Sequence, residues 1–352
     1  MKIDLQLAFW TAAFVLVAFL LWLLHEILLP FVAGVALAYL LDPLANRLER
    51  FGIGRLFATL LIVGLFVLAC LLVVVLIAPV LGSQLAALVD NLPTYVARLQ
   101  ALAADSSRPW LGRILGQGIG DAPFATLVQQ ATGGAAVFLK SLWSGGQAVL
   151  SVISLFVVTP VVACYLLYDW NRMVAALDRW LPRAQANTIR GLAREIDRAI
   201  AGFVRGQTGV CLILGSFYAL GLSMTGLNSG LLIGVVSGLI SFIPYVGSLT
   251  GLVLSAGIAV AQFFPDWSPI VSVLAVYVVG QFLEGYVLAP YLVGPSVGLH
   301  PVWLMFALVA FGYLFGFVGM LVAVPLAAAI GVLVRFALKH YLASPLYTGE
   351  AG

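Results

Sequence analysis

Residues 56–79 read LFATLLIVGLFVLACLLVVVLIAP, a run of 24 residues without a charged side chain. A helix needs about 20 mostly apolar residues to cross a hydrocarbon core of about 30 Å. Within lipid, only helices and closed barrels can pair all their backbone N–H and C=O groups. A continuous rather than alternating apolar run favours the helix. Further runs of similar or greater length lie at 5–24, 231–264 and 301–336. The chain is therefore predicted to cross a membrane several times.

Composition supports this prediction. Hydrophobic residues make up 63% of the 352 and charged residues 9%, whereas a soluble domain carries about 25% charged residues. The net charge of +3 is too small to indicate nucleic acid as a partner. No metal-ligand spacing, nucleophile motif or phosphate-binding loop occurs in the sequence. We therefore expect no cofactor, no metal site, no catalytic residue and no enzymatic activity.

The fold class expected is an all-α polytopic membrane protein with about eight membrane segments. Single helices are predicted over 5–24, 28–41, 56–79 (ending near Pro79) and 147–168, with a polar loop at 42–55. By composition the chain divides into five parts. They are membrane helices 1–3 (1–79), an extracytoplasmic segment with short helices (80–145), membrane helix 4 (146–170), a cytoplasmic amphipathic basic helix (171–205) and a Gly/Pro-rich core (206–340).

The distribution of Lys and Arg predicts the orientation. Seven of the 17 such residues lie in 171–205, and six more lie near the N-terminus, in 42–55 and near the C-terminus. Loops on the cytoplasmic side are enriched in Lys and Arg. Both termini and the 171–205 segment are therefore expected on the cytoplasmic side, and the 80–145 segment on the opposite side.

Two apolar runs in the C-terminal third are interrupted. The run 229–264 contains Pro244, Tyr245 and Gly247, and the run 301–337 contains Gly312, Gly316 and Gly319. Proline and glycine can kink a helix or permit a reversal. Each run is either one kinked span or a re-entrant helical hairpin. Paired interrupted segments are also the best sequence pointer to a transporter's binding site.

Isolated polar residues supply the other candidates. Glu284, with Gln281 one turn away, is the only acid inside a spanning run of the C-terminal third. Carboxylates in membrane spans are costly and indicate function, although a structural hydrogen bond is the competing interpretation. His300 is predicted to cap a helix or to titrate at the interface. Arg205, which with Gln207 opens a predicted fifth helix, either extends to the interface or holds a gate shut.

The chain resembles the autoinducer-2 exporter family of bacterial membrane transporters. No one of the matching pieces is specific, but they follow the family order over nearly the whole chain. They are PFVAG at 30–34, AYLLDP at 38–43, FVRGQ at 203–207, FIPYVG at 242–247, QFLE at 281–284, Pro290 with Val293-Gly294, VGLHP at 297–301, and Phe315-Gly316 with residues 319–325.

The resemblance implies a secondary transporter in the bacterial inner membrane, an assembly as a homo-pentamer, and a partner set of lipid and small solute without nucleic acid. We expect ion-coupled export of a small polar solute such as autoinducer-2. The alternatives are a monovalent cation (Na⁺ or Li⁺)/proton antiporter and a non-transporting scaffold. Substrate, ion-binding or coupling residues are expected to be Glu284, Gln281, Pro244, Tyr245, Gly247, Gly312, Gly316 and Gly319. Gating or structural residues are expected to be Arg205, Gln207, Gly294 and His300.

Overall fold

The computed structural model describes residues 27–104, 146–183, 185–293 and 298–344, together with the isolated positions 16, 19, 20, 23, 24 and 347. Most of the predicted helix 5–24, the stretch 105–145 and Gly294 lie outside the described residues. Within them, every regular element is helical. The helices are α1 (Leu29–Arg50), α2 (Arg55–Ala104), α3 (Gly146–Arg179), α4 (Ala186–Met224), α5 (Gly230–Ile240), α6 (Val246–Phe263), α7 (Trp267–Phe282), which continues as a π-helix over Leu283–Val293, and α8 (Pro301–Leu342).

Six of the described helices are long and apolar enough to cross a membrane: α1, α2, α4, α6, α7 with its π-helical continuation, and α8. The prediction of an all-α polytopic membrane protein is confirmed. Helix α5, with 11 residues, is only about 16 Å long and cannot cross a core of about 30 Å by itself.

Contacts divide the chain into two compact units. The first comprises Met1–Val67, Ile153–Gly206 and Leu292–Gly352, and the second comprises Leu68–Val152 and Gln207–Tyr291. The first unit has a core in which α1, α2 and α3 meet, formed by Leu37, Leu41, Ala45, Ile62, Val63, Ala163 and Leu167. In the second unit, the largest fully buried side chains are Tyr218 and Tyr277.

The predicted polar loop at 42–55 is wrong, because α1 continues through Pro43 to Arg50. The polar residues form one face of this helical turn, where Asp42, Asn46 and Glu49 follow the i, i+4, i+7 spacing of a helix. The guanidinium of Arg55 donates hydrogen bonds to all three side chains. What had the composition of a loop is therefore the hydrophilic end of α1, and only residues 51–54 connect it to α2.

Two other predicted helix ends and one predicted helix are also wrong. Helix α2 passes Pro79 and Pro93 and ends at Ala104, because one missing backbone donor does not end a helix flanked by strong helix formers. Helix α3 extends beyond 168 to Arg179. The basic segment 171–205 is not one helix, since a turn near Pro182 divides it between α3 and α4. The division of the chain into five parts stays a prediction about its organisation.

The interrupted run 229–264 folds back on itself as a helical hairpin, called hairpin 1, formed by α5 and α6. Near the tip, a Cβ on Gly247 would overlap Ser241, and one on Gly251 would overlap the Ser237 side chain. At the base, the Gln262 side chain accepts from the backbone N–H of Asn228 at 2.9 Å and donates to the carbonyl of Gly226 at 2.9 Å. In these contacts, residues progressively earlier on the α5 side meet residues progressively later on the α6 side, which is the pattern of two antiparallel helices joined by a turn. This run is therefore not a kinked span.

Hairpin 1 packs against α4 through glycines spaced four apart. A Cβ on Gly230 would lie 2.9 Å from the backbone of Leu222. One on Gly234 would overlap the backbone of Ala219, and one on Gly238 the backbone of Gly215. Small residues at this spacing let helix backbones approach closely in lipid. Helices α4 and α5 therefore touch backbone to backbone along three turns.

The second interrupted run also reverses. Helix α8 contains a non-helical residue, Gly316, with φ 60° and ψ −141°, a conformation in which a residue with a Cβ is strained. The chain turns back there, since a Cβ on Gly312 would lie 2.9 Å from Met320 and one on Gly319 would overlap the carbonyl of Phe311. We call legs 301–315 and 317–342 hairpin 2. Both runs are therefore hairpins rather than kinked spans.

Candidate functional site

The tip of hairpin 1 is a break in regular backbone hydrogen bonding inside the second unit. Tyr245, with φ 67°, precedes α6, and Pro244 lies in the turn. The end of α5 and the start of α6 meet at this tip, and the two helix ends carry opposite partial charges. Turn hydrogen bonds pair some of the groups at the break, as from the N–H of Ile243 to the carbonyl of Ile240 at 2.9 Å. Such a tip can supply both donors and acceptors to a polar ligand.

Gln207 attaches this tip to α4. Its Nε2 donates to the carbonyl of Ser241 at 2.6 Å, and the Gln207 side chain is buried. Ser241 in turn donates its hydroxyl to the carbonyl of Ser237 at 2.8 Å. The prediction that Gln207 opens a helix is wrong, because this residue lies in the middle of α4. The amide satisfies a carbonyl that the helix break leaves unpaired.

Glu284 lies where α7 changes from α-helical to π-helical geometry. Its carboxylate accepts a hydrogen bond from Nε2 of Gln281 at 3.1 Å. Glu284 is half-buried and Gln281 is exposed. The π-helical segment is 11 residues long, and π-helical geometry interrupting an α-helix is frequently found at functional sites. The predicted neighbourhood of Gln281 and Glu284 is present, and their role stays a prediction.

Two buried tyrosines connect these elements within the second unit. The rings of Tyr218 on α4 and Tyr277 on α7 stack with centroids 4.7 Å apart and are 0% and 1% exposed. Gly280 lets the Tyr218 ring lie against the backbone of α7, since a Cβ there would overlap the ring. The two tyrosine hydroxyls are buried and make no hydrogen bond of ordinary geometry.

The Tyr277 hydroxyl faces a patch of serines in hairpin 1. A Cβ on Gly251 would lie 2.6 Å from this hydroxyl and would overlap the Ser237 hydroxyl. Ser237 and Ser255 are buried, and Ser255 donates to the carbonyl of Gly251 at 2.8 Å. Buried polar atoms without partners are rare in native proteins and require an explanation. Here they give the second unit a polar interior with hydrogen-bonding capacity to spare.

The sequence had pointed to Pro244, Tyr245, Gly247, Gln281, Glu284 and Gln207, and the structure places all six in the second unit. It did not point to Tyr218, Tyr277, Ser237 or Ser255. The one signal available was that Gln207, Cys211 and Tyr218 recur on one face of a helix at spacings of four and seven. Tyrosines and serines in an apolar run are otherwise indistinguishable from packing residues.

The remaining predicted residues belong to the first unit. Gly312, Gly316 and Gly319 form the tip of hairpin 2. His300 is the N-cap of α8, where its Nδ1 accepts from the backbone N–H of Val302 at 3.3 Å, which supports the capping interpretation. Arg205 donates from Nε to the carbonyl of Tyr39 at 2.9 Å.

Known proteins resemble the chain over most of its length. A family model described as AI-2E family transporter matches residues 11–339. PerM of Escherichia coli (strain K12), named a permease, is 31% identical over 314 residues, or 88% of this chain and 87% of PerM. YrrI of Bacillus subtilis, named a transport protein, is 28% identical over 89% of this chain and 87% of its own length.

TqsA of Escherichia coli (strain K12), named an AI-2 transport protein, is 27% identical over 323 residues, or 90% of this chain and 86% of TqsA. The family match spans the helices of both units, including the two hairpins and the π-helical segment with Glu284. Apolar helices and relatives named as permeases and transport proteins describe a multi-pass membrane protein of a transporter class. The chain belongs to the AI-2E transporter family.

Proposed function

We propose that this protein is a secondary transporter that moves a small polar solute such as autoinducer-2 across the bacterial inner membrane, coupled to an ion through Glu284. The observation that carries the proposal is the polar tip of hairpin 1, which Gln207 holds to α4 within the second unit. A broken helix and buried hydroxyls that make no hydrogen bond of ordinary geometry leave donors and acceptors that a polar solute can use.

The solute class follows from the groups available. The tip offers neutral donors and acceptors from backbone, serine, tyrosine and glutamine, and Glu284 is the one carboxylate described within α7 and its continuation. Neutral groups of this kind suit a hydroxylated, uncharged or weakly charged molecule. TqsA, named an AI-2 transport protein, supports autoinducer-2 as the first solute to test.

Glu284 is suited to coupling by its chemistry. A carboxyl group in a low-dielectric surrounding is costly as an anion and takes up a proton or a cation readily. The Gln281 amide can donate to the carboxylate and can accept from the protonated form after a flip. We also propose that both chain termini face the cytoplasm and that the protein acts as a homo-oligomer.

The proposal is tested with the purified protein in proteoliposomes. When a pH gradient is imposed, autoinducer-2 loaded inside these proteoliposomes should leave faster than it leaves protein-free vesicles. Dissipation of the gradient by Na⁺ or Li⁺ without solute flux would instead show cation/proton antiport. If neither flux exceeds that of protein-free vesicles, the transport proposal fails for these substrates. The interpretation as a non-transporting scaffold is then favoured.

The Tyr277 hydroxyl provides a sharper test. Because this hydroxyl is buried without a hydrogen bond of ordinary geometry, Tyr277→Phe should change the free energy of unfolding by less than about 1 kcal/mol. If the hydroxyl binds solute, the same change should raise the KM for transport about threefold to tenfold, since a hydrogen bond contributes about 0.5–1.5 kcal/mol.

The matched control is Tyr313→Phe, because Tyr313 is exposed on hairpin 2 and should change neither quantity. Thermal unfolding and initial-rate flux measured on the same preparations separate stability from binding. An unchanged KM in Tyr277→Phe would remove this hydroxyl from the solute site.

A further inference from the structure

A separate cavity of about 390 Å³ lies within the first unit, between α1, α3 and the N-terminal half of α4. The residues that line it are of two kinds, called here its apolar wall and its charged wall. The apolar wall is formed by Val35, Ala38, Leu166, Leu167 and Ala201, and the other wall by Tyr39, Asp42, Trp170, Asp197, Arg198 and Arg205. None of the groups proposed above for transport in the second unit contributes to this cavity.

The cavity lies where each of its three helices changes character. Along α1 the apolar residues give way to Asp42, and along α3 they give way to Asp169 and Trp170. On α4 the charged residues end at Arg205 and the apolar residues follow. Such a change marks the level of the lipid headgroups, where Trp and Tyr are enriched. Tyr39 and Trp170 pack edge to face in this cavity, with centroids 6.0 Å apart.

The arginines of the cavity retain free hydrogen-bonding capacity. Arg205 uses Nε on the carbonyl of Tyr39, and its Nη2 lies 3.9 Å from Asp42, beyond hydrogen-bond distance. Arg198 uses Nε on the carbonyl of Arg194 in its own helix. Arg205 Nη2 forms a long ion pair with Asp42, whereas Nη1 of Arg205 and both terminal nitrogens of Arg198 make no hydrogen bond to the part of the chain that the structure describes. Two such groups are a common arrangement for recognising a phosphate.

Asp197 distinguishes this cavity from a simple anion site. Its Oδ1 accepts from the Tyr39 hydroxyl at 2.9 Å, and Oδ2 has no hydrogen-bond partner among the described residues. A carboxylate that lines the same cavity as two arginines repels a purely anionic headgroup but accepts from an ammonium group. The charged wall thus carries two arginines and two carboxylates. Asp42 already accepts hydrogen bonds from Arg55 and Asn46, so Asp197 is the carboxylate left open for an amine.

We propose that this cavity binds the headgroup of an ethanolamine phospholipid, with the phosphate at Arg198 and Arg205 and the ammonium at Asp197. The acyl chains leave along the apolar wall of α1 and α3. Phosphatidylglycerol lacks the amine and meets the Asp197 charge. Phosphatidylcholine has no N–H to donate and keeps only a contact of its cation with the rings of Trp170 and Tyr39.

The test measures lipid binding to the purified full-length protein by native mass spectrometry. Phosphatidylethanolamine, phosphatidylcholine and phosphatidylglycerol with identical acyl chains are titrated separately. We expect phosphatidylethanolamine to bind about tenfold more tightly than either of the others, the effect of one charge-assisted hydrogen bond. Equal affinity for the three lipids, or a preference for phosphatidylglycerol, would overturn the proposal, and neither outcome depends on a variant.

Variants then assign the groups. Asp197→Asn keeps an acceptor for Tyr39 but should abolish the preference for phosphatidylethanolamine over phosphatidylcholine. Arg198→Gln should lower the affinity for both lipids about tenfold, because it removes a contact to the phosphate. The matched control is Arg194→Gln, one turn away on the same helix and not in the cavity, which should leave the affinities unchanged. Wild-type lipid selectivity in Asp197→Asn would contradict the placement of the amine.

Soluble glycerophosphoethanolamine distinguishes a lipid from a free metabolite with the same headgroup. If the apolar wall holds acyl chains, the soluble compound should bind at least about a hundredfold more weakly than the lipid, because burial of each CH₂ contributes about 0.8 kcal/mol. Comparable affinity of the two would overturn the lipid assignment in favour of a soluble phosphoethanolamine compound.

Discussion

Replacing Glu284 by glutamine is expected to abolish ion-coupled transport while the protein still folds and inserts into the membrane. Glutamine has nearly the same shape, can keep a hydrogen bond to Gln281, and cannot exchange a proton or bind a cation by charge. If Glu284 is the coupling group, solute accumulation driven by an ion gradient should fall at least tenfold, to about the rate of uncoupled leakage.

Stability and transport must be measured together for this variant. Because Glu284 is only half-buried and the change removes a charge from an apolar span, the free energy of unfolding should fall by less than about 0.5 kcal/mol or rise. The matched control is Glu195→Gln, whose carboxylate lies 3.5 Å from Arg335 in the first unit and is exposed. Full coupled transport in Glu284→Gln would exclude this residue as the coupling group.

Replacing Gly234 by leucine is expected to prevent the native packing of α5 on α4. A Cβ at this position already overlaps the backbone of Ala219 and Tyr218, and backbone cannot move aside as a flexible side chain can. Insertion of extra carbons into a packed core costs about 1–3 kcal/mol, and here we expect at least the upper end of that range. Thermal unfolding of the purified protein and its yield in the membrane measure the effect.

The matched control for this change lies on the other leg of the same hairpin. A Cβ on Gly257 meets no heavy atom within 4 Å, so Gly257→Leu adds a side chain without overlap and improves helix propensity by up to about 1 kcal/mol. It should leave the unfolding midpoint unchanged or raise it. Native stability in Gly234→Leu would show that α4 and α5 do not approach as closely as described.

The sequence predicts the class of this fold well, because the length of an apolar run can be counted directly from its residue types. The run 56–79 and the breaks at Pro244 and Gly316 were identified from residue types. The choice between kink and hairpin could not be made from residue types, because it depends on whether residues far apart in the chain, such as Gly226 and Gln262, are in contact. Local helix or turn propensity does not predict such a contact between residues far apart in the sequence.

Helix ends were predicted less well for a related reason. Asp42, Asn46 and Glu49 have the composition of a loop, and only their joint contact with Arg55 explains why they continue α1. Prolines such as Pro79 are tolerated within a long membrane helix whose remaining hydrogen bonds are all internal. A charge or a proline inside an apolar chain therefore does not mark a helix end by itself.

The candidate site was predicted in part. Glu284 and Gln281 were found because polar residues are conspicuous in an apolar run, and Gln207 was named with Arg205 as opening a predicted fifth helix. Tyr218, Tyr277, Ser237 and Ser255 were missed, because residues that pair across three helices carry no sequence spacing in common. Their grouping depends on α4, α7 and hairpin 1 packing together within the second unit.

The central claim is that each of the two interrupted runs is a re-entrant hairpin, whose two ends lie on the same face of the membrane. Single cysteines at Asn228, Ser268, His300 and Ala343, in a protein with Cys70, Cys164 and Cys211 replaced, test it with membrane-impermeant thiol reagents applied from each face. The account predicts that 228 and 268, at the ends of hairpin 1, label from the outside. It predicts that 300 and 343, at the ends of hairpin 2, label from the cytoplasmic side. Labelling of 228 and 268, or of 300 and 343, from opposite faces would show simple spans and would contradict the account.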